Sequence, residues 1–310
     1  MKRCFLPKLK NIKIIEVGPR DGLQNEKKIL SIQERLNMIQ KCNSIGLNHI
    51  EIGSFVSPKL LPQVANTFEL LQKLSINNIN NNNNYSVLIP HIKYLQFLNL
   101  KDENHINNFK KINELVLFVA ASESFNKKNI NTSSIDAFNR FKDIVHFVKY
   151  FNLKFNTDIK IRASISTCMK CPYEGNVPID NVLHIINEYF NLNTYLSYID
   201  IADTIGEATP EQTNLLISKI KEYYPIEIFS GHFHDTNNSA IKNVEVCLEN
   251  GITTFHSSIG GLGGCPFSKK RVGNLSTDKL VQFLSSKGYQ TNIDLEKCKQ
   301  VSNYISSYFK

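Results

Sequence analysis

Two histidines, His232 and His234, stand two residues apart near the end of an apolar run, IEIFSGHFH from Ile226. Alternate side chains of an extended strand share a face, so both imidazoles project the same way. Asp21, in the segment Gly18-Pro19-Arg20-Asp21-Gly22, offers a carboxylate opposite them. A lone core histidine is usually a hydrogen-bonded packing residue. Two on one face with a carboxylate opposite read instead as a divalent-cation site. A glycine-rich stretch, Gly260-Gly261-Leu262-Gly263-Gly264-Cys265-Pro266, matches neither the P-loop nor the dinucleotide pattern. It is suited to closing over a substrate, with Cys265 as a proton donor or acceptor.

These residues need a scaffold that gathers them. Short β-rich runs begin at Ile12, His49, Tyr85, Glu114, Ile159, Tyr198, Ile226 and Ile252. Between them lie helical patterns such as SIQERLNMIQKCNSIG closing at Gly46, SSIDAFNRFKDIVHFVKYF opening at a serine cap, and TPEQTNLLISKIKEYY with proline in the first turn. Eight alternating units require parallel strands with right-handed crossovers, and they predict a (β/α)8 TIM barrel rather than an open sheet. The barrel is expected over about 12–275, with extra C-terminal helices from Thr277 and Asp294 filling 276–310, all as one domain. Barrel sites form at the C-terminal ends of the strands. That places Arg20, Asp21, Glu51, Asp203, His232 and His234 at one mouth.

The 310 residues are 42% hydrophobic and 21% charged, as in a soluble globular protein, and no apolar run approaches the roughly 18 residues of a membrane helix. The formal charge of +8 comes from lysines scattered along the chain, so no nucleic-acid partner is expected. A mild positive field would still draw in a polyanion such as an acyl-CoA. Seven cysteines without a secretion signal suggest reduced thiols. Cys168 and Cys171 have C-x-x-C spacing without a second pair, and read as ordinary loop or strand-end thiols. The basic stretch MKRCFLPKLK is short for a transit peptide, so cytoplasm is expected, with the mitochondrial matrix as the alternative. The asparagine-rich tract between Ser75 and Tyr85 reads as a surface loop without function.

VGPRDGLQNEK from Val17, SFVSPK from Ser54, AASE from Ala120, KKNIN from Lys127, CPYEG from Cys171, DTIG from Asp203, HFHDT from His232 and SSIGGLGGCP from Ser257 follow one another along almost the whole chain. In this order they resemble the hydroxymethylglutaryl-CoA lyase family, part of a wider group of metal-dependent barrel lyases and condensing enzymes. The resemblance implies that Asp21, His232, His234 and Asn274 hold the metal, Mg²⁺ or Mn²⁺ with Zn²⁺ possible. It places Arg20 over the thioester carbonyl, makes Glu51 and Asp203 acid/base or positioning carboxylates, gives His232 or Asp203 the substrate proton, and closes Cys265 on the reacting carbons. The implied reaction is cleavage of hydroxymethylglutaryl-CoA to acetyl-CoA and acetoacetate, as in ketogenesis and leucine degradation. A homodimer is expected.

Some positions depart from that pattern. His256 stands where the family has aspartate, Ala202 where glycine is common, Asn66 where an acid is expected, and residues 269–272 are bulky and basic before Gly273-Asn274. Two rivals follow. A condensing enzyme joining acetyl-CoA to a 2-oxo acid is disfavoured because such enzymes carry long C-terminal extensions. A non-catalytic relative would keep the fold and lose the turnover.

Overall fold

The structure, a computed structural model, describes residues 10–74, 83–264 and 273–309. Eight parallel strands close into a barrel: β1 (Lys13–Glu16), β2 (His49–Ser54), β3 (Asn84–Leu88), β4 (Glu114–Ala120), β5 (Lys160–Ser166), β6 (Leu196–Asp203), β7 (Phe229–Phe233) and β8 (Thr254–Ser257). Each pairs with its sequence neighbours, and β8 closes on β1 with Ile15 beside His256. The expected (β/α)8 barrel is the observed one.

Strand periodicity divides the side chains between two layers. Phe118, Ser164, Ser166, Ala202 and His232 line a cavity inside the barrel mouth. Their neighbours Leu117, Ile165, Ile201 and Phe233 are buried, and point outward under the helices by the period of two. Each such aliphatic side chain contributes roughly 1.5–3 kcal/mol through its removal from water.

The helices start and stop where their capping chemistry dictates. The helix α1 (Ile32–Ser44) opens with a capping box between Ser31 and Glu34, buries Leu36, Met38, Ile39 and Cys42, and is followed by Gly46 at φ +96°. Next come α2 (Thr67–Lys73), α3 (Glu103–Phe109), α4 (Glu123–Ile130), α5 (Ser134–Phe155) capped by Ser133, and α6 (Ile179–Asn191). The helix α7 (Pro210–Lys221) has a Thr209–Gln212 capping box and proline at its first position. After α8 (Ala240–Glu249), the two C-terminal helices are α9 (Thr277–Ser286) and α10 (Leu295–Ser306), the latter capped by Asp294.

Three details differ from the sequence expectation. Ile226–Ile228 form a 3-10 turn, so β7 begins only at Phe229. Lys170–Cys171 and Gly175–Asn176 pair as a two-stranded antiparallel ribbon that no long periodic pattern announced. Asn66, which reads from the sequence as a surface helix residue, is the residue just before α2, at φ 57°. Cys265, the basic stretch 269–272 and the asparagine-rich residues 75–82 lie outside the described residues.

Candidate metal centre and active site

Between β1 and α1 the chain makes a five-residue π-turn, Gly18–Gly22, with the Gly22 N–H donating to Val17 at 3.1 Å. A Cβ on Gly18 would sit 2.5 Å from a Glu16 carboxylate oxygen, so only glycine fits this close approach. The turn lifts Arg20 and Asp21 over the mouth. Arg20 Nη1 donates to Asp21 Oδ1 at 2.7 Å, and its Nε binds the carboxylate of Glu51.

Asp21 Oδ2 then faces the histidines, 3.9 Å from His232 Nε2 and 3.6 Å from His234 Nε2. Asn274 completes the group, donating Nδ2–H to Asp21 Oδ2 at 2.7 Å. The segment after β8 is held here by backbone bonds. Leu275 N–H donates to Phe233 at 3.0 Å, and Asp235 N–H donates to Gly273 at 3.1 Å.

Burial alone would raise the Asp21 pKa, but the Arg20 guanidinium and the two imidazoles hold it well below the usual carboxylate range. Burial, reinforced by His256, pushes His232 down to about 3, so it is neutral near pH 7. Burial also disfavours charge on His234, yet the nearby Asp21 carboxylate outweighs it and raises its pKa.

His234 Nδ1 lies 2.7 Å from the Thr204 carbonyl, which can only accept, so Nδ1 carries the hydrogen and, in the neutral ring, Nε2 keeps its lone pair. That Nε2 is buried without a hydrogen-bond partner. An orphaned, buried lone pair costs free energy unless something accepts it. The ligand atoms of Asp21, His232 and His234 lie within 4.8 Å of one another. The donor set therefore fits a divalent cation, with a carbonyl orienting a ligand histidine as such sites require.

The two carboxylates expected in acid/base or positioning roles do not join the metal-ligand group. Glu51 is only 1% exposed and is held between Arg20 and Arg162. Asp203 is fully buried at the outward-facing end of β6, and its oxygens accept from Glu207 N–H at 3.1 Å and Ala208 N–H at 3.0 Å. It braces the turn leading to α7, one residue before the Thr204 carbonyl that orients His234. Burial pushes its pKa up to about 6 against those hydrogen bonds.

The sequence reading passed over Arg162 and Asp200. Arg162 Nε lies 3.2 Å from Asp200 Oδ2, and its Nη1 lies 3.5 Å from Glu114. Both are inward-facing charges in otherwise apolar strands, and that alternation was a usable signal. The departure His256 sits inside this network, in register with His232.

The group opens onto a cavity of about 340 Å³ with Arg20, Asp21, His232 and His234 at one end and Leu61, Leu88, Phe118 and Phe125 along its walls. A larger depression, about 540 Å³, lies among Lys13, Lys160 and Tyr195 at the opposite mouth of the barrel. It holds none of these groups. The candidate ligands Asp21, His232 and His234 line the smaller, partly apolar cavity at the C-terminal strand ends.

A family model described as HMGL-like matches residues 11–305. The chain belongs to the HMGL-like family. Among relatives of this family member, the hydroxymethylglutaryl-CoA lyase of Pseudomonas mevalonii is 36% identical, over 96% of this chain and 92% of that one. A crystal structure of hydroxymethylglutaryl-CoA lyase from Pseudomonas aeruginosa superposes with a TM-score of 0.86 at 31% identity, covering 97% of this chain and 94% of that one. A structure of an HMG-CoA lyase from Acinetobacter baumannii, in complex with coenzyme A and 3-methylmalate, has a TM-score of 0.84 at 29% identity, covering 96% and 91%. Among the described residues no helix is long and apolar enough to cross a membrane.

Proposed function

We propose that this chain is a divalent-metal-dependent carbon–carbon lyase that cleaves hydroxymethylglutaryl-CoA to acetyl-CoA and acetoacetate. One observation carries the reading: in a family member aligned end to end with hydroxymethylglutaryl-CoA lyases, Asp21, His232, His234 and Asn274 converge beside Arg20 at the mouth of the barrel. Asp21, both His Nε2 atoms and the Asn274 amide oxygen, after rotation of that amide, would hold the cation. One carboxylate, two imidazoles and one amide suit Mg²⁺ or Mn²⁺, and admit Zn²⁺. Bound there, a cation would polarise the substrate's tertiary hydroxyl and lower its pKa toward neutrality.

The remaining work falls to the chain's own residues. Transfer of the hydroxyl proton to water in the cavity lets the C2–C3 bond break, leaving a ketone on acetoacetate and an enolate on acetyl-CoA, which takes up a proton in its turn. Arg20, fixed by Glu51 and Asp21, is placed to stabilise the developing enolate charge. Of the two bases expected, Asp203 faces the helix layer, whereas His232 reaches the cavity with Nε2. A nitrogen that ligates a cation cannot also take a proton, and we assign His232 to the cation. Cys265 stays a proposed loop residue closing on the reacting carbons.

Acyl-CoA is the proposed substrate class, supported by the apolar cavity walls, the formal charge of +8 and the coenzyme A bound by the Acinetobacter relative. We also propose one barrel domain spanning the chain, a homodimer, and a cytoplasmic or mitochondrial matrix location. The decisive assay is acetoacetate release from hydroxymethylglutaryl-CoA by purified protein. Turnover should vanish in EDTA and return with Mg²⁺ or Mn²⁺. Turnover indifferent to chelation, or free CoA released only with acetyl-CoA and a 2-oxo acid, would overturn the assignment.

A further inference from the structure

His232 does not meet the cavity alone. Its Nδ1 lies 3.0 Å from His256 Nδ1, and His256 Nε2 lies 3.2 Å from Asp200 Oδ1. Ser230 Oγ donates to the same Asp200 oxygen at 2.6 Å, and Arg162 Nε lies 3.2 Å from the other. His232 and His256 pair in register on β7 and β8, as do Asp200 and Ser230 on β6 and β7, so the chain links adjacent inward-facing positions of three neighbouring strands. All of these side chains are buried.

The hydrogens in this chain can be placed by elimination. Asp200, paired with Arg162, is an ionised acceptor, so His256 Nε2 must carry the hydrogen that faces it. His256 is sealed from water and the charge of Asp200 is already met by Arg162, so the ring is neutral, and a neutral imidazole with Nε2–H has a bare Nδ1. Two bare nitrogens at 3.0 Å would repel, so the hydrogen between the rings belongs to His232 Nδ1. Neutral His232 then has its lone pair on Nε2, the atom facing Asp21.

We propose that His256 and Asp200 are positioning residues that fix His232 as its Nδ1–H tautomer and so present its Nε2 lone pair to the divalent cation. The inference rests on the metal site proposed above. It gives His256, the departure from the family pattern, a definite role. The imidazole places its acceptor Nδ1 one bond from Cγ, where an aspartate or asparagine places Oδ1. Asp200 compensates for the extra ring by engaging Nε2.

The test uses the full chain. In protein with ¹⁵N-labelled histidine, stripped of metal by EDTA, long-range ¹⁵N–¹H spectra should show His232, assigned by loss of its signals in His232→Gln, protonated at Nδ1. His256→Leu removes the acceptor and should mix the two tautomers. It should also weaken Mn²⁺ binding, read by calorimetry, by about 10–100-fold, the usual effect of losing a partner that orients a metal ligand. His256→Asn restores an oxygen at the acceptor position and should return both the tautomer and the affinity close to wild type. An Nε2–H tautomer in the wild type, a leucine variant with unchanged Mn²⁺ affinity, or an asparagine variant as weak as leucine would each overturn the proposal. If the leucine variant fails to unfold cooperatively, the wild-type tautomer and the asparagine variant decide. Should Asp21→Ala leave Mn²⁺ binding unaltered, the metal site itself fails, and the tautomer spectra still report separately on His256.

Discussion

Asn274 donates to Asp21 across 2.7 Å, although 253 positions of sequence separate them. The contact ties the turn after β1 to the segment after β8, and both side chains face the same point as His232 and His234. Asn274→Ala should weaken Mn²⁺ binding by at least about tenfold. Asp21→Ala should weaken it further, because the site then loses its only anionic member. Titration of free Mn²⁺ by electron paramagnetic resonance checks both, and equal affinities in the two variants would contradict the assigned roles.

Glu51 should prove a structural anchor before it proves an acid or base. Its carboxylate is shared by Arg20 and Arg162, and it is nearly sealed from solvent. Removing one partner of a buried ion pair leaves the others uncompensated, at a cost of about 3–5 kcal/mol. Glu51→Gln should therefore lower unfolding stability in urea by that order, with EDTA present so that metal binding does not contribute. Turnover should fall as well, since Arg20 loses its fixed orientation.

Asp203 separates bracing from proton transfer. Asp203→Asn can no longer accept both backbone N–H groups of the turn into α7, and should cost about 1–2 kcal/mol in stability. Mn²⁺ affinity should change far less than in Asn274→Ala. A stable Asp203→Asn protein with abolished turnover and normal Mn²⁺ binding would instead return Asp203 to the proton-transfer role expected from the sequence.

Glu16 gives the fold a pH dependence of unusual sign. It points outward beneath α9 and accepts from Gly18 N–H and Ile259 N–H, both at 2.8 Å, and from Thr277 Oγ1 at 2.7 Å. Burial nonetheless pushes its pKa from 4.5 up to about 7. Below pH 4.5 the folded and unfolded chains both hold the proton. Between 4.5 and about 7 the unfolded chain releases it while the folded chain keeps it, so this contribution to stability falls as pH rises, then levels off. The stability of wild type minus that of Glu16→Gln should decline across this window by on the order of 3 kcal/mol. Urea unfolding at a series of pH values measures it, and a flat difference would refute the shift.

The barrel was legible because its signals are local and repeated. Period-two apolar runs, serine and threonine caps and a glycine after α1 each act within a few residues, and the strand count, the caps of α1, α5 and α7 and the two C-terminal helices all follow from them. The facing of His232 and His234 was equally readable, being a matter of alternation on one strand. Which groups meet across the barrel was not. Arg162 looks like an unfavourable charge in β5 until register sets it against Asp200 and Glu51. Asp203 sits at a strand end as an active-site acid would, yet its parity, opposite to that of the inward-facing Asp200 and Ala202, turns it to the helices. The Gly18–Gly22 π-turn has no propensity signature of its own, and its shape depends on Glu16 and Ser258 pressing on Gly18.

The closure of β8 on β1 also sets an order of events during synthesis. Asp21 leaves the ribosome early, but its three companions are His232, His234 and Asn274, and the segment that carries Asn274 follows β7 and β8, with its neighbours Gly273 and Leu275 bonded to residues at the end of β7. Because the first and last strands must find each other across nearly the whole polypeptide, this pairing carries the greatest loop-closure cost of the fold. A translation product halted anywhere before Asn274 would lack a complete cage for the ion. Possession of the ion would thus report that the ring has been finished, and prematurely terminated chains would be catalytically silent rather than partly active.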